Sequence, residues 1–483
     1  MGAEAILIVV LAAIFGGYMA WNIGANDVAN SMGTSVGSRA LTIRQAIIAA
    51  AIANFLGAVL VGGHVTDTVR KKMIDPEVFG GDPQALMLGM LAALLAAGLW
   101  VQGASYFRLP VSTTHAIVGG VVGFAVIAAG PSAVAWSKIG EIVLSWVICP
   151  VIAGAGAYVL SRAVVAFIIN SRDPIGATRA WTPALVFTVF ATLCLVIFYK
   201  GLKNLHLDMP WQQALTIACL VGGLAAVFGW ILVGRAEPTE EDHKALARVD
   251  QENTQAHLVR SLERAFRALE GAREVSGEAG ASPSRVSEAT ALVGSLVQDV
   301  KAQAPTPIAA GDRSYRFVER VFSSLQVVSA CCVAFAQGGN DVANAIGPLA
   351  AIANIAQSGT VVGQVAVPLW TLALGGAFIA LGIAMWGPRV MRTVGEKITH
   401  LTPTRGFSAE FATATTVVLA SRLGFPVSTT HVLIGAVIGV GIARGIASVD
   451  WRIMGQIAVT WVVQVPAVAV ISAGLFVLVR AII

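Results

Sequence analysis

Residues 24–33 of the chain read Gly-Ala-Asn-Asp-Val-Ala-Asn-Ser-Met-Gly, and residues 338–347 read Gly-Gly-Asn-Asp-Val-Ala-Asn-Ala-Ile-Gly. The two stretches agree at seven of ten positions, although corresponding positions lie 314 residues apart. Each is polar, is flanked by glycine and follows a long apolar run. A polar motif that occurs twice in an apolar chain predicts an internal duplication.

The composition indicates a membrane protein. Of the 483 residues, 56% are hydrophobic and 12% are charged, and the mean hydropathy is +0.76. Soluble proteins carry about 25% charged residues, so a soluble fold is excluded. The net charge of +5 reflects lysines and arginines in loops, and we expect a lipid bilayer but no nucleic acid among the partners.

Apolar runs of about 20 residues, the length that crosses a bilayer, predict an all-α polytopic membrane protein with about twelve transmembrane segments. The runs lie near residues 4–23, 45–65, 84–106, 111–130, 139–168, 181–199, 211–234, 317–337, 361–387, 408–424, 426–446 and 455–482. The runs at 111–130 and 426–446 are candidates for re-entrant helices.

A second motif also occurs twice, and in the same order relative to the first. Residues 108–115 read Arg-Leu-Pro-Val-Ser-Thr-Thr-His, and residues 424–431 read Gly-Phe-Pro-Val-Ser-Thr-Thr-His. Seven predicted spans separate the starts of the two copies, so the second copy enters the membrane in the opposite direction. The sequence therefore predicts two inverted-topology repeats with broken or re-entrant helices.

This repeat divides the chain into four parts. We expect a first transmembrane repeat at 1–170, two connecting spans at 171–235, a helical linker at 236–315 and a second transmembrane repeat at 316–483. Lysine and arginine are more frequent on one side of the predicted spans, which favours termini outside and a cytoplasmic linker in the cell (inner) membrane. Helical spacing on both sides of 276–284 predicts a helical hairpin within the linker.

The first motif places oxygen ligands next to an apolar span. A carboxylate there is costly unless it is paired, hydrated or bound to a cation, and it can also carry a proton. Asn and Asp oxygens suit hard cations such as Na⁺. We therefore predict cation or proton coupling at Asp27, Asn30, Asp341 and Asn344, with Asp27 and Asp341 as the metal ligands if the cation is Na⁺.

The glycines of the first motif suggest a broken helix. Gly24 and Gly33 are expected to interrupt the span and to free backbone carbonyls for a cation. The alternative is that Asn and Asp cap an ordinary helix end.

The second motif reads as the start of a helix. Proline followed by hydroxyl residues and an apolar run is typical of a helix N-terminus, which attracts anions. Two such starts, one from each repeat, can converge on one tetrahedral oxyanion. The alternative is ordinary capping by Ser112 and Ser428. His115 and His431 are predicted to support the hydroxyls or to exchange protons.

Glu410 is a carboxylate that only the second repeat carries. The first repeat has Leu94 at the corresponding position. We predict that Glu410 binds the coupling cation or carries a proton, the alternative being a position at the membrane edge.

Together, the two motifs resemble those of the inorganic phosphate transporter family, and the resemblance covers the chain except for about 236–315. It implies phosphate import by symport with H⁺ or Na⁺, alternating access, no cofactor and a homodimer. Resemblance to bacterial low-affinity members adds a divalent metal–phosphate complex as a substrate form. The residues that the resemblance places around phosphate are Asn26, Ser112, Thr113, Thr114, Asn340, Ser428, Thr429 and Thr430.

One position departs from the family pattern. Animal Na⁺-coupled members have Glu where this chain has Asn54, and the loss of a carboxylate favours H⁺ over Na⁺.

Three other functions compete with phosphate symport. Sulfate is a tetrahedral anion of similar size, but it has no proton to donate to a carboxylate at neutral pH. A passive anion channel leaves the duplicated carboxylates without a purpose. A membrane hydrolase needs a contact between its nucleophile and its base, whereas the adjacent Thr114 and His115 face different sides of a helix. We therefore expect a transporter and not an enzyme.

Overall fold

The computed structural model describes residues 2–63, 73–74, 76–198, 209–236, 293, 312–361, 367–397, 401–422, 427–445, 449 and 451–482. In these ranges the chain forms twelve α-helices. They are α1 (Ala3–Gly37), α2 (Ile43–Val61), α3 (Pro83–Tyr106), α4 (Thr113–Ala129), α5 (Trp136–Val164), α6 (Pro174–Phe198), α7 (Trp211–Arg235), α8 (Asp312–Ser358), α9 (Leu369–Lys397), α10 (Pro403–Arg422), α11 (Thr429–Arg444) and α12 (Trp451–Ile482).

The helices correspond one to one to the twelve predicted segments. Among the described residues, nine helices are long and apolar enough to cross a membrane. The helices α4 and α11, which the sequence marked as candidates for re-entry, are shorter apolar helices. The all-α polytopic fold is thus confirmed, while the inverted orientation of the repeats stays a prediction.

The chain divides into two compact units. One comprises Met1–Arg235 and Val321–Ile483, and the other comprises Ala236–Arg320. The first unit contains both copies of each motif. The predicted helical hairpin falls almost wholly outside the described residues, and the four predicted segments of the chain stay predictions.

Side chains that the sequence places before each run explain where several helices begin. The hydroxyl of Thr42 accepts from the backbone N–H of Gln45, whose side chain accepts in return from the Thr42 N–H. Asp82 caps α3, which has Pro83 in its first turn. Such caps satisfy N–H groups that have no partner inside the helix.

The prediction that Gly24 and Gly33 interrupt the first span is wrong. The helix α1 continues without a break through both glycines and ends at Gly37. The second motif copy lies inside α8 in the same way. Gly24 serves close packing instead, because a Cβ there would overlap the carbonyl oxygen of Ile379 in α9.

Glycines bring helices from opposite halves of the chain together. Gly24 of α1 packs on the Ile379 carbonyl of α9, and Gly338 of α8 packs on the Asn54 carbonyl of α2. Only glycine allows the backbones to approach this closely. The two contacts have matching partners, so the first and second repeats, α1–α5 and α8–α12, are interleaved.

The same arrangement recurs around the short helices. Gly119 of α4 packs on the Val465 carbonyl of α12, and Gly435 of α11 packs on the Pro150 carbonyl of α5. One turn further on, Gly123 and Gly439 make equivalent contacts with Ala469 and Gly154. The glycines that lie four and eight residues after each histidine therefore serve close helix packing.

Candidate functional site

Both motif aspartates are buried and hydrogen-bonded to a threonine of the second motif. Thr113 donates to the Oδ2 atom of Asp27 at 2.8 Å, and Thr429 donates to the Oδ2 atom of Asp341 at 3.2 Å. Both aspartates are 1% exposed. Each repeat thus builds the same aspartate–threonine pair from α1 and α4 or from α8 and α11.

The second asparagine of each motif reaches across to the other repeat. Asn30 donates to the Thr430 hydroxyl at 2.8 Å and to the Oδ1 atom of Asp27 at 3.0 Å. Asn344 donates to the Thr114 hydroxyl at 3.2 Å. These bonds connect the two aspartate–threonine pairs into one polar centre.

The second threonine of each motif bonds to the backbone of the opposite copy. Thr430 donates to the Val111 carbonyl at 3.0 Å, and Thr114 donates to the Val427 carbonyl at 3.2 Å. Since Val111 and Val427 occupy the same position in the two copies, the contacts are reciprocal. The N-termini of α4 and α11 therefore lie side by side at the polar centre.

The first asparagine of each motif holds the segment before a short helix. Asn26 donates to Ser105 at 2.9 Å and to the Leu109 carbonyl at 3.0 Å, and it accepts from the Val111 N–H at 3.1 Å. Asn340 donates to the Val427 carbonyl at 3.1 Å and to Asp341 at 2.7 Å. These bonds position the non-helical backbone that leads into α4 and α11.

The motif serines are helix caps. Ser112 accepts from the N–H of His115, and Ser428 accepts from the N–H of His431, both at 3.2 Å. The capping alternative therefore describes their contacts, although a hydroxyl that accepts one bond can still donate its own hydrogen. The remaining first-turn N–H groups of α4 and α11 have no acceptor within their helix, as at any helix start.

The histidines face each other instead of the carboxylates. The rings of His115 and His431 meet edge to face with their centroids 4.3 Å apart. Each also stacks on a tryptophan, His115 on Trp146 and His431 on Trp461. Each histidine directly follows a motif threonine, and the supporting role of both stays a prediction.

Glu410 lies in a second buried polar cluster and not at an exposed edge, because the structure leaves it 0% exposed. Its Oε1 atom accepts from Thr34, from Ser35 at 2.7 Å and from Gln326 at 3.3 Å. Its Oε2 atom accepts from Ser329 at 2.8 Å. The cluster joins α1, α8 and α10 around one carboxylate.

The counterpart of this cluster in the other repeat is apolar throughout. The copies of the first motif lie 314 residues apart, and this offset relates Gln326, Ser329, Thr34 and Ser35 to Ala12, Phe15, Pro348 and Leu349, respectively. Glu410 corresponds to Leu94, which lies at the same distance before its copy of the second motif. All five positions of the one cluster are polar, and all five of the other are apolar. The polar centre is therefore duplicated, whereas the Glu410 cluster occurs once.

The arrangement has the donors that a cation and an oxyanion need. Carboxylate, amide and hydroxyl oxygens are ligands for a hard cation, and two adjacent helix N-termini present N–H groups to an anion. In the described part of the chain, no group of three or more His, Cys, Asp or Glu side chains has the geometry of a metal site.

Comparison with known families decides the class of the protein. Residues 23–472 match the model of the phosphate transporter family. The chain belongs to this family. It is an integral multi-pass membrane protein whose family transports phosphate, as its two motifs predicted.

Individual relatives agree with this assignment. The chain is 41% identical to the chloroplastic inorganic phosphate transporter 2-1 of Arabidopsis thaliana, over 95% of this chain and 70% of that protein. It is 38% identical to a putative phosphate permease of Haemophilus influenzae, over 98% of this chain and 96% of that one. A solved structure described as the sodium-dependent phosphate transporter is 35% identical, with a TM-score of 0.77, over 99% of this chain and 100% of that one.

The sequence missed several polar residues of both clusters. Thr34 and Ser35 follow the first motif directly, and Gln326 and Ser329 interrupt the apolar face of α8 with helical spacing. Gln337 belongs to the same set, and it donates to the Asp27 carbonyl at 2.7 Å. The signal that these residues share is a neutral polar side chain inside an apolar run, outside the two motifs that occur twice.

Proposed function

We propose that the chain is a secondary active transporter that imports inorganic phosphate by cation symport and alternating access. The observation that carries the proposal is the reciprocal polar centre, in which each repeat supplies one aspartate, two asparagines and two threonines. Phosphate lies between the N-termini of α4 and α11, where Thr113, Thr114, Thr429 and Thr430 donate to its oxygens. Each of these hydroxyls has one hydrogen, which the structure directs to a carboxylate or a backbone carbonyl, so the hydroxyls turn towards phosphate when it binds. Such a site can open to either side of the membrane in turn, because each repeat presents the same donors.

The two aspartates supply the coupling. Bare carboxylates at Asp27 and Asp341 repel a phosphate anion, so the anion binds well only after a cation or a proton has neutralised them. Their present partners, Thr113, Thr429 and the motif asparagines, are oxygen-bearing side chains that can turn towards a cation. Phosphate and the coupling ion are then transported together.

We propose Na⁺ as the coupling ion, although the loss of a carboxylate at Asn54 favoured H⁺. The solved relative is sodium-dependent, and the donor set of the Glu410 cluster suits Na⁺. A carboxylate, three hydroxyls and an amide meet there without a basic residue among the described contacts. Glu410 is thus a cation site separate from the one at the aspartates.

Phosphate is favoured over sulfate by the same carboxylates. Phosphate that keeps a proton near neutral pH can donate it to Asp27 or Asp341, whereas sulfate has no proton to donate. We further propose that the protein acts in the cell (inner) membrane as a homodimer, with both termini outside and the linker cytoplasmic. It has no enzymatic activity, and a metal–phosphate complex is a second substrate form.

The test is uptake of labelled phosphate by purified protein in liposomes, with an imposed Na⁺ or pH gradient. We expect Na⁺-driven accumulation against the phosphate gradient, weak competition by sulfate and loss of accumulation in Asp27→Asn and Asp341→Asn. The matched control is Glu141→Gln, since Glu141 is a half-exposed carboxylate that pairs with Lys138 on the surface. Flux that never exceeds equilibrium would instead identify a passive channel, and a pH gradient that alone drives uptake would identify H⁺.

A further inference from the structure

Four aromatic rings form a row beside the polar centre. Trp146 of α5 stacks on His115 of α4 with centroids 3.5 Å apart, and Trp461 of α12 stacks on His431 of α11 at 3.6 Å. The two histidines complete the row with their edge-to-face contact at 4.3 Å. The row therefore links two helices of the first repeat to two helices of the second.

The row is attached directly to the helix starts that carry the threonines. His115 follows Thr114, and His431 follows Thr430. Because Ser112 and Ser428 cap the backbone N–H of each histidine, the rings belong to the rigid first turns of α4 and α11. A shift in the distance between the rings is thus a shift in the distance between the two threonine pairs.

The surroundings favour neutral rings. His115 and His431 are 2% and 4% exposed, and both sit at the positive end of a helix dipole, where a second positive charge is unfavourable. The carboxylates on the neighbouring α1 and α8, Asp27 and Asp341, are bonded to Thr113 and Thr429. The helices α5 and α12 present the uncharged Trp146 to the row at one end and Trp461 at the other.

The ring contacts point the same way. Each histidine lies with a ring face against a tryptophan, and the two histidine rings meet edge to face. The contacts that these rings make are those of aromatic spacers.

We propose that Trp146, His115, His431 and Trp461 form an aromatic brace that sets the spacing between the N-termini of α4 and α11. The brace decides which oxyanion fits between the two threonine pairs. This inference rests on the proposed phosphate site and adds a determinant of its selectivity. The two tryptophans are positioning residues, because they act on the substrate through the histidines and the helix starts.

The brace is tested by shortening its ends. Trp146→Phe and Trp461→Phe keep an aromatic residue but replace the two fused rings of indole by one ring, which reduces the surface available for stacking. We expect the KM for phosphate to rise about three- to tenfold, the scale of one aromatic contact, with little change in kcat. Competition by arsenate, a slightly larger tetrahedral anion, should become stronger relative to phosphate. The matched controls are Trp136→Phe and Trp451→Phe, exposed tryptophans on the same two helices, which should leave both values unchanged.

A second pair of variants separates spacing from proton transfer. His115→Phe keeps a ring without titratable nitrogens, so it should retain the KM, the arsenate selectivity and the pH profile, while His115→Ala should lose the first two. A flattened pH profile or lost uptake in a well-folded His115→Phe protein overturns the brace in favour of a proton carrier. Unchanged KM and selectivity in both tryptophan variants also overturn it. Failure of the unaltered protein to take up phosphate would instead reject the proposed function itself.

Discussion

Asn30 donates a 2.8 Å hydrogen bond to the hydroxyl of Thr430, which lies 400 residues further along the chain. Asn344 makes the corresponding bond to Thr114 in the opposite direction. Since each bond joins the first repeat to the second, neither repeat can complete the polar centre alone. The centre is therefore a product of the interleaved packing as much as of the motifs.

Removal of the Thr430 hydroxyl should weaken both the fold and the site. In Thr430→Val, the amide of Asn30 loses an acceptor, and the Val111 carbonyl loses its donor. Leaving buried polar groups without partners costs about 1–3 kcal/mol each, so we expect a lower melting temperature in detergent and a higher KM for phosphate. Thr430→Ser keeps the hydroxyl and should restore most of both. Equal loss in the serine and valine variants would contradict a role of the hydroxyl.

The polar centre and the Glu410 cluster differ in how much of each could be predicted from the sequence. The polar centre was predictable, because Asp27 and Thr113 recur as Asp341 and Thr429. Chance does not explain two motifs that both occur twice in the same order. The partners of Glu410 occur once and are neutral, so neither repetition nor charge marked them. Only the packing of α1 and α8 against α10 brings Thr34 and Ser329 to the same carboxylate.

The role of Gly24 was mistaken for a related reason. A glycine in a polar motif is compatible with a helix break and with close packing, and local sequence does not distinguish the two. The decisive partner, the carbonyl of Ile379, lies on a helix of the other repeat. Because the motif glycines do not end these helices, α1 and α8 extend well beyond the spans that the sequence predicted.

Glu410 should carry the cation dependence of transport. Glu410→Gln keeps the size of the side chain and removes its charge, so a cation is held less tightly among Thr34, Ser35 and Ser329. We expect phosphate accumulation driven by Na⁺ to fail, while exchange of phosphate across the membrane without a gradient persists. Initial rates at a series of Na⁺ concentrations measure the first effect, and counterflow measures the second. Glu410→Gln with unaltered Na⁺ activation would show that the cluster is structural.

Close backbone contacts should make certain glycines irreplaceable. A Cβ at Gly123 would overlap the backbone of Ala469, so we expect Gly123→Ala to cost about 1–3 kcal/mol through overpacking. Gly474 lies in α12 with open space around it, and Gly474→Ala should be neutral or stabilising by up to about 1 kcal/mol, because alanine favours a helix. Thermal unfolding of the two variants in the same detergent compares them directly. Similar melting temperatures would mean that α4 can move away from α12 at little cost.

Asn54 offers a direct test of how a carboxylate at this position alters cation binding. Its side chain is 2% exposed and donates to the Ala50 carbonyl at 2.9 Å, while its own carbonyl packs on Gly338, two residues before Asn340. Asn54→Glu buries a charge without a basic partner, which is unfavourable unless a cation accompanies it. We therefore expect a lower melting temperature in K⁺ and a larger stabilisation by Na⁺ than in the unaltered protein.

Ligand linkage sets the scale of that effect. A cation at about 100 times its Kd stabilises a folded protein by about 2.7 kcal/mol, which a titration of melting temperature against Na⁺ resolves. Asn54→Gln is the matched control, because it has the length of glutamate without its charge and should respond to Na⁺ as asparagine does. If Asn54→Glu and Asn54→Gln respond alike, the carboxylate at this position does not recruit a cation. The coupling would then rest on Asp27, Asp341 and Glu410 alone.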